Sequence, residues 1–144
     1  MKKCSDIMST DLVYCLPGDP VTKAAQLMKT NDIGPILVVD NDQNKTLIGI
    51  VTDRDLALKV VGEGRDPNTT RVEDVMTRKL VTCRADDDVD VAMQAMAQYQ
   101  LRRIPVVADR MKLVGIIAQA DVATRVDRPE RTGEVVREIS EETT

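Results

Sequence analysis

Thr52-Asp53-Arg54-Asp55 follows the apolar run Gly49-Ile50-Val51, at a point where a strand should hand over to a helix. A helix start offers free backbone N–H groups and the positive end of a dipole, which suits a phosphate or another anion. A Thr hydroxyl there can donate one more hydrogen bond. A carboxylate three residues on can accept two from vicinal hydroxyls such as those of a ribose. The same four residues also read as a cap, with Thr52 or Asp53 as N-cap and Asp55 favouring the dipole. Spacing alone leaves both readings open. A second cluster is Leu101-Arg102-Arg103-Ile104-Pro105. Two adjacent guanidiniums before a strand can hold phosphate through bidentate, charge-assisted bonds, or form a solvated corner. Asp53 and Asp55 could in principle hold Mg²⁺ or do acid–base work, but no nucleophile or second acidic cluster accompanies them. Asp86-Asp87-Asp88 reads as the start of a helix.

The elements that must position these residues occur twice. Asp6-Ile7-Met8-Ser9 recurs as Asp74-Val75-Met76-Thr77, and Met8 and Met76 set an offset of 68. The same offset relates Val13 to Val81, Cys15 to Cys83, Met28 to Met96 and Val38-Val39 to Val106-Val107. Gly49-Ile50-Val51 and Asp55 return as Gly115-Ile116-Ile117 and Asp121 at an offset of 66, so the second copy is two residues shorter in the preceding turn. The copies span roughly 5–62 and 73–128. The joint at 63–72 is rich in Gly, Pro and Asn, as a surface connection should be, and a charged tail fills 129–144. Each copy is small for an independent core, so the two should pack together about a pseudo-two-fold axis.

Each copy reads in the same order. Asp19-Pro20, or Asp87-Asp88, opens a helix. Val21, Ala24, Ala25 and Met28 form its apolar face in the first copy, and Val89, Ala92, Met93 and Met96 in the second. Then come a wholly apolar strand (36–39 or 104–107), a polar turn, a strand (47–51 or 113–117) and a last helix (about 54–61 or 119–126). A short leading strand is expected near 12–15 and 80–83. Continuous apolar runs imply strands covered on both faces. The fold class is α+β: two β-α-β-β-α repeats packed through their sheets.

The copies differ where charge matters. Gly34-Pro35 stands where the second copy has Arg102-Arg103, and Ala118 stands where the first has Thr52. Thr52 and Asp55 with Arg102 and Arg103 would make a complete site. Asp121 with Gly34 and Pro35 would lack both the hydroxyl and the cations.

Composition narrows the chemistry. The chain has 144 residues, 42% hydrophobic and 31% charged, an ordinary globular balance. Its net charge is −4 and its pI about 4.9, without a basic face for nucleic acid. With two Tyr and no Phe or Trp, base-stacking platforms are missing, and Met with aliphatics must fill the core. There is no His, which removes the commonest general base and zinc ligand. An enzyme is not expected. Three Cys form no CxxC pair and no metal spacing. Cys15 and Cys83, exchanged by the repeat, are read as buried thiols, with a disulfide as the alternative. No apolar run approaches the roughly 20 residues needed to span a membrane. The N-terminus has no apolar h-region, so the expected location is the cytoplasm. In the tail, Val135, Val136 and Ile139 give a short amphipathic pattern.

The duplicated Gly49-Ile50-Val51-Thr52-Asp53-Arg54-Asp55 and Gly115-Ile116-Ile117-Ala118-Gln119-Ala120-Asp121, each preceded by its Met-Ser/Thr start and apolar strand, resemble the CBS-domain pair, or Bateman module, of the stand-alone bacterial two-repeat type. The resemblance covers about residues 5–128. It implies a homodimer, no required cofactor, and an adenine nucleotide ligand (AMP, ADP, ATP or S-adenosylmethionine) in a cleft between repeats, signalling to a regulated protein. It assigns Thr52, Arg54 and Asp55 to the nucleotide, Arg102 and Arg103 to phosphate, and Leu80, Val81, Leu101 and Pro105 to the adenine slot. A second, weaker cleft would use Val13, Ile33 and Asp121. The alternative reading is a ligand-free dimeric interaction or stress-response scaffold, with a thiol response at Cys15 and Cys83.

Overall fold

The structure, a computed structural model, describes residues 2–125. The amphipathic pattern at Val135, Val136 and Ile139 lies outside these residues. The described residues divide into two compact units: Val13–Leu80, and the residues up to Leu12 together with those from Val81 to Arg125. Each unit holds one three-stranded sheet.

In the Val13–Leu80 unit the elements are β1 (Tyr14–Cys15), α2 (Val21–Asn31), β2 (Ile36–Val39), β3 (Leu47–Val51) and α3 (Asp53–Asp55), which continues as a π-helix over Leu56–Val61; α1 (Cys4–Ile7) precedes them and belongs to the other unit. β1 pairs parallel with β2, and β2 antiparallel with β3. Every residue of β2 is buried, as a wholly apolar run in a central strand requires. β3 alternates buried and half-buried positions. The core joins Val21 and Ala24 of α2 to Ile36, Val38 and Val51 of the sheet.

The second unit repeats the plan with β4 (Cys83–Arg84), α4 (Val89–Tyr99), β5 (Arg103–Ala108), β6 (Lys112–Ala118) and α5 (Gln119–Arg125). Val89, Ala92, Met93 and Met96, the expected face of α4, are all buried. Pairing is again parallel for β4–β5 and antiparallel for β5–β6, with a register shift between Val106 and Val107 that matches the one between Val38 and Val39. The two-residue deletion falls in the β5–β6 turn. There Asp109–Met111 makes one tight turn, with Arg110 and Met111 both left-handed at φ 59°. The longer turn of the first copy is held by side chains: Asp40 Oδ1 accepts from the N–H groups of Asn41 and Thr46, and Asn41 Oδ1 from those of Gln43 and Asn44.

The helix starts differ from expectation at one place. Asp88 caps α4 by accepting from the Asp90 N–H at 3.1 Å. In the first copy Pro20, not Asp19, occupies the N-cap position of α2. The Asp19 carboxylate turns back to accept from the Leu16 N–H at 2.8 Å, so a local turn claims it first. Both long helices end on a left-handed residue, Asp32 at φ 53° and Gln100 at φ 56°. Gln tolerates that conformation poorly, and Gly adopts it freely. Gln100→Gly should therefore raise stability by up to about 1 kcal/mol in urea denaturation.

The leading motifs are exchanged between sequence repeat and compact unit. Residues 72–74 form a 3₁₀ turn, and Val72, Val75 and Met76 enter the core of the Val13–Leu80 unit. Thr77 exchanges both backbone hydrogen bonds with Ile50 at 2.8 and 2.9 Å. In the same manner Cys4 and Ile7 enter the core of the other unit, and Ser9 exchanges both backbone bonds with Ile116 at 2.8 and 2.9 Å. Glycine makes this docking possible. A Cβ on Gly49 would lie 2.6 Å from Met76 Sδ, and a Cβ on Gly115 would collide with Met8 Sδ. Each Met-Ser/Thr motif thus seats its methionine on the glycine of a strand from the opposite sequence repeat. The joint before Val72 is mostly exposed, but its end is anchored: Thr70 is buried, its hydroxyl donates to Asp66 O at 2.8 Å, and its carbonyl accepts the Val21 N–H at the start of α2.

Candidate functional site

β3 ends at Val51, and the chain turns at Thr52 (φ −113°, ψ 164°), the N-cap of α3. Thr52 and Asp55 then satisfy one another. Thr52 Oγ1 accepts the Asp55 N–H at 3.1 Å, and Asp55 Oδ2 accepts the Thr52 N–H at 2.9 Å, a complete capping box. The Thr52 hydroxyl also lies 3.1 Å from Asp55 Oδ2. The cap reading is therefore realised. It leaves the other carboxylate oxygen, Asp55 Oδ1, with capacity to spare.

That oxygen has a partner the sequence reading did not name. Lys59 Nζ lies 3.1 Å from Asp55 Oδ1 and donates to Val75 O at 2.9 Å. The Asp55 side chain is 12% exposed and that of Lys59 42%. The i,i+4 spacing of acid and base was visible in the sequence. The Val75 carbonyl was not, because it arrives with the exchanged segment. The helix carrying Lys59 has π geometry, with the Gly62 N–H donating to Ala57 O at 2.8 Å. Such turns are rare and recur at functional sites. Arg54 is exposed, and its N–H bonds the Asp53 carboxylate at 3.0 Å. Gly34 lies against Asp53, where an added Cβ would be 3.4 Å from the carboxylate.

In the other unit the Asp121 carboxylate accepts the Ala118 N–H at 3.1 Å. Half of the capping box survives there without a hydroxyl at 118. The recurrence of Asp55 as Asp121 is accounted for by this shared helix start. Arg103 pairs with Ala118 across β5 and β6, and the Arg102 carbonyl accepts the Gln119 N–H at 2.9 Å. Both arginines are exposed. Within its own unit, then, the basic pair borders the Asp121 helix start, as Gly34-Pro35 borders Thr52-Asp53.

The apolar candidates divide the same way. Val13 and Ile33 are half-buried against the core of the Val13–Leu80 unit, and Leu80 is half-buried at its end. Val81 and Leu101 pack against the other core, and Pro105 is buried within β5. All three cysteines are buried and reduced. Burial pushes the Cys15 thiol up to about 12, and that thiol donates to Leu37 O. Cys83 shares its core cluster with another thiol, but it is Cys4, not Cys15, and each of the two shifts the other's titration. Among the described residues no group of three or more acidic, Cys or His side chains could hold a metal, and no helix is long and apolar enough to cross a membrane.

Two units of one plan, each a three-stranded sheet followed by a helix whose own carboxylate closes its start, define a tandem α+β repeat protein. The CBS-domain family model matches residues 4–62 and 72–128, and the chain belongs to the CBS-domain family. It is 43% identical to the uncharacterized protein YlbB of Bacillus subtilis over 98% of this chain and 93% of that one. It is 32% identical to hypoxic response protein 1 of Mycobacterium tuberculosis, over 85% and 84%. The crystal structure of CBSX2 in complex with AMP superposes with a TM-score of 0.70 at 25% identity and covers 100% of both chains.

Proposed function

We propose that this CBS pair binds an adenine nucleotide and passes the resulting change of shape to a partner protein. Asp55 carries the reading. Its Oδ2 is committed to the cap, while its Oδ1 faces an exchangeable ammonium that ribose hydroxyls can join or displace. Thr52 and Arg54 flank the ribose, Arg102 and Arg103 take the phosphate, and Leu80, Val81, Leu101 and Pro105 line the base. Val13, Ile33 and Asp121 serve a second, weaker site without the hydroxyl. The AMP complex of CBSX2 supports AMP as the first ligand to test, ahead of ADP, ATP and S-adenosylmethionine. A signal requires that the ligand bind one conformation better than another. The working form is a cytoplasmic homodimer. Leu58 and Val61, 54% and 78% exposed on the π-helix, support a self-association surface.

Isothermal calorimetry tests the reading. AMP should release heat and raise the melting midpoint. Arg103→Ala should weaken AMP about tenfold while leaving adenosine unchanged, since a charge-assisted phosphate bond is lost. Equal losses for both ligands would remove Arg103 from the phosphate role. A second reading, a ligand-free scaffold, is favoured by the completeness of the Thr52–Asp55 box, which needs no ligand to satisfy its polar groups. Silence with all four ligands from a well-folded dimer would select it.

A further inference from the structure

Cys4 and Cys83 stand apart from the nucleotide reading and do not depend on it. Both are core residues of the same unit, 0% and 2% exposed. α1 is bound to the segment that follows β4: the Cys4 N–H donates to Asp87 O at 2.9 Å, the Ser5 N–H to Ala85 O at 3.0 Å, and Cys4 Sγ lies 3.8 Å from Asp88 O. This lays Cys4 over the end of β4, where Cys83 Sγ points toward Pro105 O at 3.8 Å. The two thiols, 79 positions apart in sequence, lie in one core cluster, and each shifts the other's titration.

We propose that Cys4 and Cys83 form a reversible dithiol–disulfide site that fastens the N-terminal segment to the β4–β6 sheet. Closing it draws the two clustered sulfurs together to a bond of about 2.05 Å. Access comes through α1, a helix of only four residues that can open locally while the sheet stays folded. The oxidant is a low-molecular-weight disulfide. Cys4, as the thiolate, attacks one sulfur and releases the first small thiolate, which leaves a mixed disulfide. Cys83 gives up its proton and attacks the Cys4 sulfur, which expels the second small thiolate. Two protein thiols lose two electrons and two protons, and the small disulfide becomes two thiols.

The consequence follows from what the segment does. α1 leads into Met8 and Ser9, which seat on Gly115 and pair with Ile116. A covalent tie at Cys4 holds that docking closed, whereas in the reduced chain it rests on packing and hydrogen bonds alone. The link closes a long loop, the case in which a disulfide constrains the unfolded chain most. Cys15 lies in the other unit, with its thiol held up by burial, and is the internal control.

The test uses the full, reduced chain incubated with glutathione disulfide, then denatured and alkylated. The intact mass should fall by about 2 Da before alkylation, with one thiol left to alkylate. Peptide mapping should find Cys4 linked to Cys83 within one chain, and dithiothreitol should restore three thiols. The Cys15→Ser variant should form the same link as fully. Three alkylated thiols after oxidation, a stable glutathione adduct on Cys4 or Cys83, a link that includes Cys15, or a link between two chains would each overturn the proposal.

Discussion

Asp55→Ala is expected to weaken AMP binding roughly a hundredfold and to lower folding stability by about 1–2 kcal/mol. The two losses have separate origins. The folding loss comes mainly from Oδ2, without which the Thr52 N–H has no acceptor at the start of α3. Loss of Oδ1 adds to it the 3.1 Å ion pair with Lys59. That pair is partly solvated and adds under about 1 kcal/mol. The binding loss comes from Oδ1, where two hydroxyl-to-carboxylate bonds at about 1.5 kcal/mol each combine to about 3 kcal/mol. Asp121→Ala separates the two roles. It removes the same kind of bond, to the Ala118 N–H, so its folding loss should be similar and its effect on AMP small. Calorimetry and urea denaturation on both variants decide it. If Asp55→Ala loses stability but keeps AMP affinity, Asp55 is a cap alone.

Gly115→Val should lower stability by about 3 kcal/mol and the melting midpoint by roughly 10 °C. A Cβ there would lie 2.7 Å from Met8 Cγ and 3.0 Å from Met8 Cβ, besides meeting the sulfur. The far end of a methionine can swing aside, but its Cβ moves only with the backbone. Accommodation therefore shifts Met8-Ser9 and strains the paired hydrogen bonds between Ser9 and Ile116. Overpacking at about 1–3 kcal/mol and two weakened bonds at about 0.5–1.5 kcal/mol each supply the total. Adding Met8→Gly to Gly115→Val removes that Cβ and should recover part of the loss, a coupling that a double-mutant cycle measures directly. Equal stability of Gly115→Val and the parent would show that the segment does not dock on β6.

Much of this architecture was legible in the sequence because it depends on local pattern. The run 36–39 gave β2 its bounds, since four apolar residues between polar turns leave little choice. The four apolar positions of α4 share one helical face whatever packs on them. Other features depended on competition. Asp19 satisfies a helix cap and a backward turn equally well on paper, and the Leu16 N–H won. The π-helix after Asp55 left no mark in the residue pattern, because its register is set by which carbonyl the Gly62 N–H reaches.

The site divides along the same line. The spacing of Thr52 and Asp55, their imperfect echo at Ala118 and Asp121, and the unmatched Arg102-Arg103 are facts of the sequence. They marked the strand–helix junctions as the places to examine. Whether Asp55 caps, binds or does both is a question of individual oxygen atoms, and only the fold shows Oδ2 committed and Oδ1 shared with Lys59. The cysteines show the same limit. Repeat symmetry paired Cys15 with Cys83, but the thiol that shares a core cluster with Cys83 is Cys4, whose counterpart at the offset of 68 is Val72. The leading segments cross between repeat and unit, so α1 packs beside the sheet that holds Cys83. The sequence by itself determined the duplication, the order of elements and the residues with chemistry to offer, because these rest on contacts within a few residues. Tertiary structure decided which copy each leading segment serves, since the docking of Met8 on Gly115 and Met76 on Gly49 brings together residues far apart in the chain.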